Sequence, residues 1–465
     1  MERTYIGTLK DHIGQEVILK GWVDIRRDHG KLIFIDMRDM SGKVQMVALP
    51  SHAEAHAAAS ALRTEWVIEV KGKVNPRPEK MVKNDEQNGM LEVEVLEITI
   101  LNEAQTTPID VRSDGRDIGE DARLTYRYLD LRRPRLQANI RKRHEVELFA
   151  RNFLSKEGFI EIETPLLTKS TPEGSRDYLV PSRLEQGRFY ALPQSPQQYK
   201  QLLMVAGFEK YFQFARCMRD EDTRGDRQPE FTQLDMELSF VKREEVMELN
   251  ERLLIELVQT LYPNKKIQEI PFPRLTYQEA MEKYGNDKPD IRKDKNDPDL
   301  LAFCWVIDFP FFEKTDTGKW TFTHNPFSAP KVEHIDWLMK KENIGDILTT
   351  QYDVALNGFE IGGGSIRNHV PEALTRVLEI MGHSPEAIQS NFGHMLEAFA
   401  YGAPPHGGIA WGLDRFMAIL QNEPNIREVI AFAKTGEGKE LMTKSPSEAT
   451  PEQLVELGIS IVRRK

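Results

Sequence analysis

"RCMRDEDTRGDRQPEFTQLDMEL", Arg216 to Leu238, sets a dense run of charge between two apolar, strand-like segments. From Thr232 to Phe240 the residues alternate. Leu234, Met236, Leu238 and Phe240 fall on one side of an extended chain, and Gln233, Asp235, Glu237 and Ser239 on the other, which is the period of a β-strand. The stretch before it, "KYFQFARCMR", is aromatic and apolar until it reaches Arg216 and Arg219. Two antiparallel strands joined by "DEDTRGDRQPE" would line one sheet face with Arg, Asp, Glu and Gln. A solvated hairpin is the simpler alternative, but these flanks are too apolar for one. Polar groups on a largely buried sheet need partners, and a polar ligand supplies them.

Three further segments share this character. "PQSPQQYKQLL" (193–203) brings Gln197, Gln198 and Lys200 to the start of a helix. "NGFEIGGGSIRNH" (357–369) offers Glu360, three glycines and Arg367, read as strand–turn–strand with glycines that permit close backbone approach. It is not a Walker loop, because no Gly-Lys-Ser/Thr follows. "YGAPPHGGIAWGLDRFMAIL" (401–420) is a Gly-rich strand running into a helix whose first turn holds Asp414 and Arg415, a setting suited to phosphate. Together these supply Lys200, Arg219, Arg367 and Arg415 as cations and Glu221, Asp235 and Glu360 as acids. No Ser–His–Asp order or activated cysteine accompanies them. Such a set suits a triphosphate with Mg²⁺ and a second charged small molecule, with catalysis by positioning and charge neutralisation.

Outward from these segments, 465 residues are too many for one ordinary core. No window approaches 18 consecutive apolar residues, so no transmembrane helix is expected. The N-terminus has no signal-peptide pattern, and Cys217 and Cys304 are too few for a disulfide framework or a Cys-based zinc site. The expectation is a cytoplasmic protein. A net charge of −11 argues against indiscriminate nucleic-acid binding. Residues 1–104 read as five short strands with one helix, in "SHAEAHAAASALRTE". This fits a Greek-key barrel of the OB type or another small β-barrel or sandwich. Residues 105–135 lack a period and read as a hinge. Arg112 to Arg143 contain ten Lys/Arg against five Asp/Glu, either a solvated connector or a surface for a nucleic-acid backbone. Residues 136–465 open with a long helix from Gln137 that Gly158 ends. Strands and helices then mix without βαβ order, the pattern of an α+β domain on an antiparallel sheet. Helices are expected at 242–262, 332–342, 371–381, 384–400 and 412–421.

With these segments in hand, the chain resembles the class II aminoacyl-tRNA synthetases, and among them the bacterial-type aspartyl-tRNA synthetases, over nearly its whole length. "GFIEIETPLL" (158–167) is similar to class II motif 1, "CMRDEDTRGDRQPEFTQLDME" to motif 2 and "GGIAWGLDRFMAIL" to motif 3. "GWV..RRD", "TPEGSRDYLVPSR", "QSPQQYKQ", "HNPF" and "YGAPPHGG" match the aspartyl subgroup. The resemblance implies an α+β class II catalytic domain with an N-terminal OB-fold, acting as a homodimer with Pro165 at its interface. It implies activation of L-aspartate by ATP and Mg²⁺ and transfer to tRNA(Asp). Asparaginyl- and lysyl-tRNA synthetases, an aspartate–ammonia ligase and a non-catalytic RNA-binding relative are the rival readings.

The same resemblance implies roles. Arg219 would hold the α-phosphate and the aspartate α-carboxylate, and Arg415 the far end of ATP. Aspartate would meet Glu173, Ser195, Gln197, Lys200, Gln233, Asp235, His324 and Arg367, with Lys200 and Arg367 on its side-chain carboxylate. ATP would meet Asp220, Glu221, Gln228, Glu360, Gly412, Leu413, Asp414 and Arg415, with Arg224 in the same loop, and Asp353 and Glu360 would carry Mg²⁺. In the barrel, Phe34 would stack on an anticodon base while Arg27, Gln45 and Glu92 read base edges. Phe34 could equally be a core residue. His29 after "RRD" matches relatives that also charge tRNA(Asn), whereas Lys80 matches those confined to tRNA(Asp). Two departures stand out. The subgroup usually carries more than a hundred residues where this chain has only "IRKDKNDPDLLAFC", near 290–300. Its usual His-His-Pro-Phe reads His324–Asn325–Pro326–Phe327 here.

Overall fold

The computed structural model describes residues 2–170, 174–223 and 225–462. Contacts divide the chain into two compact units, one comprising Met1–Gly119 with Tyr128–Arg133, the other Glu120–Arg127 with Pro134–Lys465.

In the first unit, alternation along Glu16–Asp28 turns Val17, Leu19 and Val23 inward. With Ile33–Asp39, Gly42–Ala48, Val67–Pro76 and Leu91–Asn102 this strand closes a five-stranded barrel. Ile35, Met46, Val70, Val93 and Val95 fill its interior. The helix Ala53–Ala61 packs through Ala55 and Ala59, side chains small enough to let it lie close to the strands. This is the expected OB barrel.

The second unit is built on an eight-stranded sheet. Its order is Arg274–Thr276, Phe303–Ile307, Tyr352–Leu356, Phe359–Ile366, His406–Gly412, Glu230–Ser239, Lys210–Met218, Ile160–Glu161. The six central strands pair antiparallel, as expected, while both edge pairs are parallel. Leu234, Met236 and Leu238 face a core shared with Trp305, Tyr352, Ile409 and Trp411. The helices Pro134–Lys156, Arg243–Leu261 and Leu413–Leu420 cover that face with Val146, Leu154, Val246, Leu253 and Phe416. Burying this much apolar area on one side leaves the opposite side of the central strands to carry the polar residues.

Four local expectations are corrected. Phe240 does not continue the apolar row: the strand ends at Ser239, and Phe240 turns out to solvent at φ +59°. The three glycines lie inside the strand Phe359–Ile366, and the turn is Asn357–Gly358. A side chain at Gly364 would collide with the Gly408 carbonyl, and one at Gly362 with the Trp411 ring. The 332–342 helix is a 3₁₀ turn, Val332–His334, followed by Ile335–Lys340, stopped by Lys341 at φ +58°. The 105–135 stretch is not one free hinge but is shared out: Arg133 is buried in the first unit on Asp130 and the Ser113 carbonyl, and Arg127 is buried in the second.

Candidate active site

Gln233, Asp235 and Glu237 project from the face of the Glu230–Ser239 strand opposite the core. Gly408 sits across from Glu237 in the neighbouring strand. A Cβ there would lie 2.1 Å from Glu237 Oε2, so glycine leaves the room that a second buried side chain would take. Helix Gln197–Val205 delivers Lys200 from above. Its ammonium is 3.0 Å from Asp235 Oδ1 and 3.1 Å from Glu237 Oε2. Arg367, one residue past the Phe359–Ile366 strand, donates to both oxygens of Glu237 at 2.9 and 3.0 Å and to Ser365 Oγ at 2.9 Å. All four charged side chains are at most 3% exposed.

Burial disfavours a charged Glu237, but Arg367 and Lys200 outweigh it and hold its carboxyl at about 2. Burial wins at Asp235, whose carboxyl is pushed up despite Lys200. Next to them His406 is wholly enclosed. Its Nδ1 lies 2.7 Å from the Pro404 carbonyl and its Nε2 3.3 Å from Gln201 Oε1. Burial drives it down to about 4, so it is neutral at pH 7.

Beside this cluster lies a cavity of about 200 Å³ whose wall includes Arg219, Glu221, Gln228, Gln233, Glu360, Gly412 and Arg415. The Arg219 guanidinium lies over the Phe231 ring, 5.1 Å from its centroid. Arg415 donates to Asp226 Oδ2 at 3.1 Å, and its buried Nε has no hydrogen-bond partner among the described residues. On the cavity's flank Asp353 and Glu360 converge. A Cβ on Gly363 would sit 2.7 Å from Asp353 Oδ1 and 3.4 Å from Glu360 Oε1, so the glycine leaves a cradle between two carboxylates. Burial and the Glu360 charge push Asp353 well above the ordinary carboxylate range. Among the described residues no cluster of three or more His, Cys, Asp or Glu could enclose a metal by itself. Two carboxylates beside this cavity, of which Glu360 lines it, instead fit a cation that takes its remaining ligands from a bound anion and water.

Other candidates stand apart. Leu413 is in the core below the sheet, because it begins the helix on its inward face. Asp414 borders the cavity, but its oxygens are taken by Arg143 and by the Thr232 amide at 3.0 Å, so it braces rather than binds. Gln228 likewise accepts from the Lys434 amide at 2.7 Å and donates to the Lys434 carbonyl at 3.1 Å. Asp220 lies by Arg176, 3.6 Å away, in an adjoining groove of about 820 Å³ that shares Glu221 with the cavity. Ser195 Oγ accepts from the Gln197 amide at 3.3 Å, and the buried Gln197 Nε2 has no partner among the described residues. His324 packs edge-on against Phe309, and burial lowers its pKa. Glu173 and Arg224 lie outside the described residues.

The residues missed from sequence are Glu237, Ser365 and His406. The period-two row Gln233–Asp235–Glu237 was the available signal for the first.

In the barrel, Arg27 makes two 2.9 Å bonds to Asp36 and one of 3.4 Å to Gln45. The half-buried Phe34 meets the His29 ring edge-on at 5.6 Å. Burial raises the Glu92 carboxyl, with Arg77 opposing. Lys80 is exposed in the turn Glu79–Met81.

An antiparallel-centred sheet of this order, with buried charged groups and a polar cavity on its open face, and an OB barrel earlier in the chain, is the plan of a class II aminoacyl-tRNA synthetase. Residues 119–436 match the family tRNA synthetases class II (D, K and N), and 17–101 match the OB-fold nucleic acid binding domain. The chain is 41% identical to an aspartate–tRNA ligase of Lysinibacillus sphaericus over 575 positions, covering 96% of each. It is 40% identical to an aspartate–tRNA(Asp/Asn) ligase of Natranaerobius thermophilus, covering all of both, and 39% identical to an aspartate–tRNA(Asp) ligase of Deinococcus radiodurans over 96% of each. These alignments are more than a hundred positions longer than the 465-residue chain, in keeping with the expectation that this chain lacks an insertion its relatives carry. The asparaginyl-tRNA synthetase of Pyrococcus horikoshii shares the fold, with a TM-score of 0.75 at 24% identity over 94% of this chain and 98% of that one. The chain belongs to the aspartate–tRNA ligases of the class II synthetases. Among the described residues no helix is long and apolar enough to cross a membrane.

Proposed function

We propose that the buried cluster selects L-aspartate by charge balance and that the adjoining cavity holds ATP for its activation. Lys200, Arg367 and Arg219 bring three positive charges, and Asp235 and Glu237 two negative ones. Aspartate, with net charge −1, closes the balance. Asparagine would leave one uncompensated positive charge and lysine two, in a site where a buried charge is expensive. That cluster is the observation that carries the reading. Lys200 and Arg367 face the side-chain carboxylate, held in place by Glu237. Asp235 and Gln233 face the ammonium, and Arg219 bridges the α-carboxylate and the α-phosphate.

An oxygen of the α-carboxylate attacks the α-phosphorus in line. The bond to the β-phosphate oxygen breaks, and pyrophosphate leaves with its electron pair. Arg219 offsets the charge that develops. A 3′-terminal ribose hydroxyl of tRNA then attacks the acyl carbon, and AMP departs. Asp353 and Glu360 are the residues that would hold Mg²⁺ with ATP, where the ion neutralises phosphate charge. Exposed Leu148, Ile160, Leu166 and Leu167 around the edge strand Ile160–Glu161 support a homodimer.

The barrel cluster Arg27–Phe34–Gln45 suits an unstacked anticodon base. With His29 against Phe34, it favours acceptance of tRNA(Asn) as well as tRNA(Asp), tempered by Lys80. Aminoacylation of purified tRNA(Asp) and tRNA(Asn) transcripts with labelled aspartate, asparagine and lysine tests the whole reading. Aspartate alone should be attached, and attachment of asparagine or lysine at comparable rates would refute it.

A further inference from the structure

The stretch that reads as a hinge in sequence holds a side chain aimed at the wall of the nucleotide cavity. Arg127 is 2% exposed. Its Nε donates to the Ala431 carbonyl at 2.8 Å, and one terminal nitrogen donates to the Arg427 and Ile430 carbonyls at 2.9 and 2.8 Å. These carbonyls flank the end of the 3₁₀ turn Ile426–Val429, where backbone acceptors run out of local donors. Arg123 adds two bonds to Glu428 at 2.9 and 2.7 Å, and Arg135 one at 2.9 Å.

The other side of this segment touches the site. Ile426 lines the cavity, and its amide donates to the Gly225 carbonyl at 3.2 Å. Lys434 is paired through both backbone groups with Gln228, and Thr223 donates to the Gly436 carbonyl. Asp226, next to Gly225, pairs with Arg415. Residues 425–436 are thus gripped from behind by arginines of the connecting stretch and grip the cavity wall in front.

We infer that Arg127 is a positioning residue for the nucleotide: its three-carbonyl grip sets the 425–436 segment, and that segment sets Gly225, Asp226 and Gln228 around ATP. The inference rests on reading the cavity as the ATP site. The guanidinium reaches the three carbonyls from two nitrogens set apart in one plane, whereas an ammonium would have to bring its single nitrogen within reach of all three. Loss of the grip loosens one wall of the nucleotide cavity and leaves the aspartate cluster untouched, because none of Lys200, Glu237 or Arg367 touches this segment in a hydrogen bond or ion pair of the described residues.

The test is steady-state ATP–pyrophosphate exchange by the full-length Arg127→Lys variant, with thermal melting measured alongside. The KM for ATP should rise about tenfold while the KM for aspartate stays within twofold, a loss of ground-state nucleotide binding alone. A purely structural role would lower the active fraction and leave both KM values unchanged. A folded variant whose KM for ATP stays within twofold of wild type overturns the inference. Should Arg127→Lys fail to fold, Thr223→Val breaks the front of the same brace and is judged by the same KM shift. Absence of ATP-dependent exchange in the wild type would count against the ATP-site reading, and an unchanged KM against a working wild type counts against the brace.

Discussion

Lys200→Met tests the charge cluster at its centre. In the native site Lys200 is 1% exposed, 3.0 Å from Asp235 and 3.1 Å from Glu237. Methionine keeps the volume and removes the charge. Glu237 retains Arg367, but Asp235 loses its nearest cation. Breaking one partner of a buried pair typically destabilises by about 3–5 kcal/mol. Asp235 offsets part of this by taking a proton, since burial already pushes its carboxyl up. The variant should therefore melt several degrees lower yet fold. Substrate binding is hit twice: the side-chain carboxylate loses a cation, and a protonated Asp235 no longer attracts the ammonium. One charge-assisted hydrogen bond in a closed site is worth on the order of 2–4 kcal/mol, so kcat/KM for aspartate should fall roughly 30-fold to 1,000-fold. The assay is pyrophosphate exchange at saturating ATP with aspartate varied, and the KM for ATP as internal control. A kcat/KM within threefold of wild type in a folded variant would refute the assignment of Lys200 to the pocket.

Glu237 is held at about 2 against an ordinary 4.5, so its ion pairs stabilise the fold above pH 4.5 and are lost as pH falls through about 2. Glu237→Gln should lower neutral-pH stability and flatten acid unfolding over that window, as followed by circular dichroism. A side chain on Gly363 would fall 2.7 Å from Asp353 Oδ1, so Gly363→Ala should raise the Mg²⁺ concentration for half-maximal exchange about tenfold, one displaced carboxylate ligand's worth. Exchange at graded Mg²⁺ checks this. Residues 291–297 lie where the sequence leads the missing insertion to be expected, and are fixed locally by Gln268 on the Ile291 carbonyl and the Lys293 amide. An equal-length Gly/Ser swap should cost about 1 kcal/mol in melting and leave adenylate formation within twofold. In the barrel, His29→Leu should increase the preference for tRNA(Asp) over tRNA(Asn) in competitive aminoacylation, by up to about a hundredfold for one lost base-discriminating contact.

The floor of the site was legible because a strand writes its two faces at period two. The row Gln233–Asp235–Glu237 against Leu234–Met236–Leu238 needed no tertiary information. The importance of Glu237 was not legible, since alternation assigns a face but not what covers it. That cover comes from Lys200 on a helix and Arg367 on another strand. Asp414 reads as a ligand by its place at a helix start. It is a brace because Arg143, 271 residues earlier, reaches it. The burial of arginines in the connecting stretch was not legible for a related reason. Arg-rich sequence without a period looks solvated, while Arg123 and Arg127 are buried by a carboxylate and carbonyls about 300 residues further along the chain. The glycines of 362–364 were correctly tied to close approach, but the approaching groups are neighbouring strands, so they sit within a strand rather than at its turn.

The measurement that bears most directly on the account is kcat/KM for pyrophosphate exchange by the wild-type chain with aspartate, asparagine and lysine in turn. Charge balance among Lys200, Arg367, Arg219, Asp235 and Glu237 requires aspartate to exceed the other two by at least about a thousandfold, the discrimination expected when a buried charge is left unpaired. Exchange with asparagine within tenfold of aspartate would contradict it.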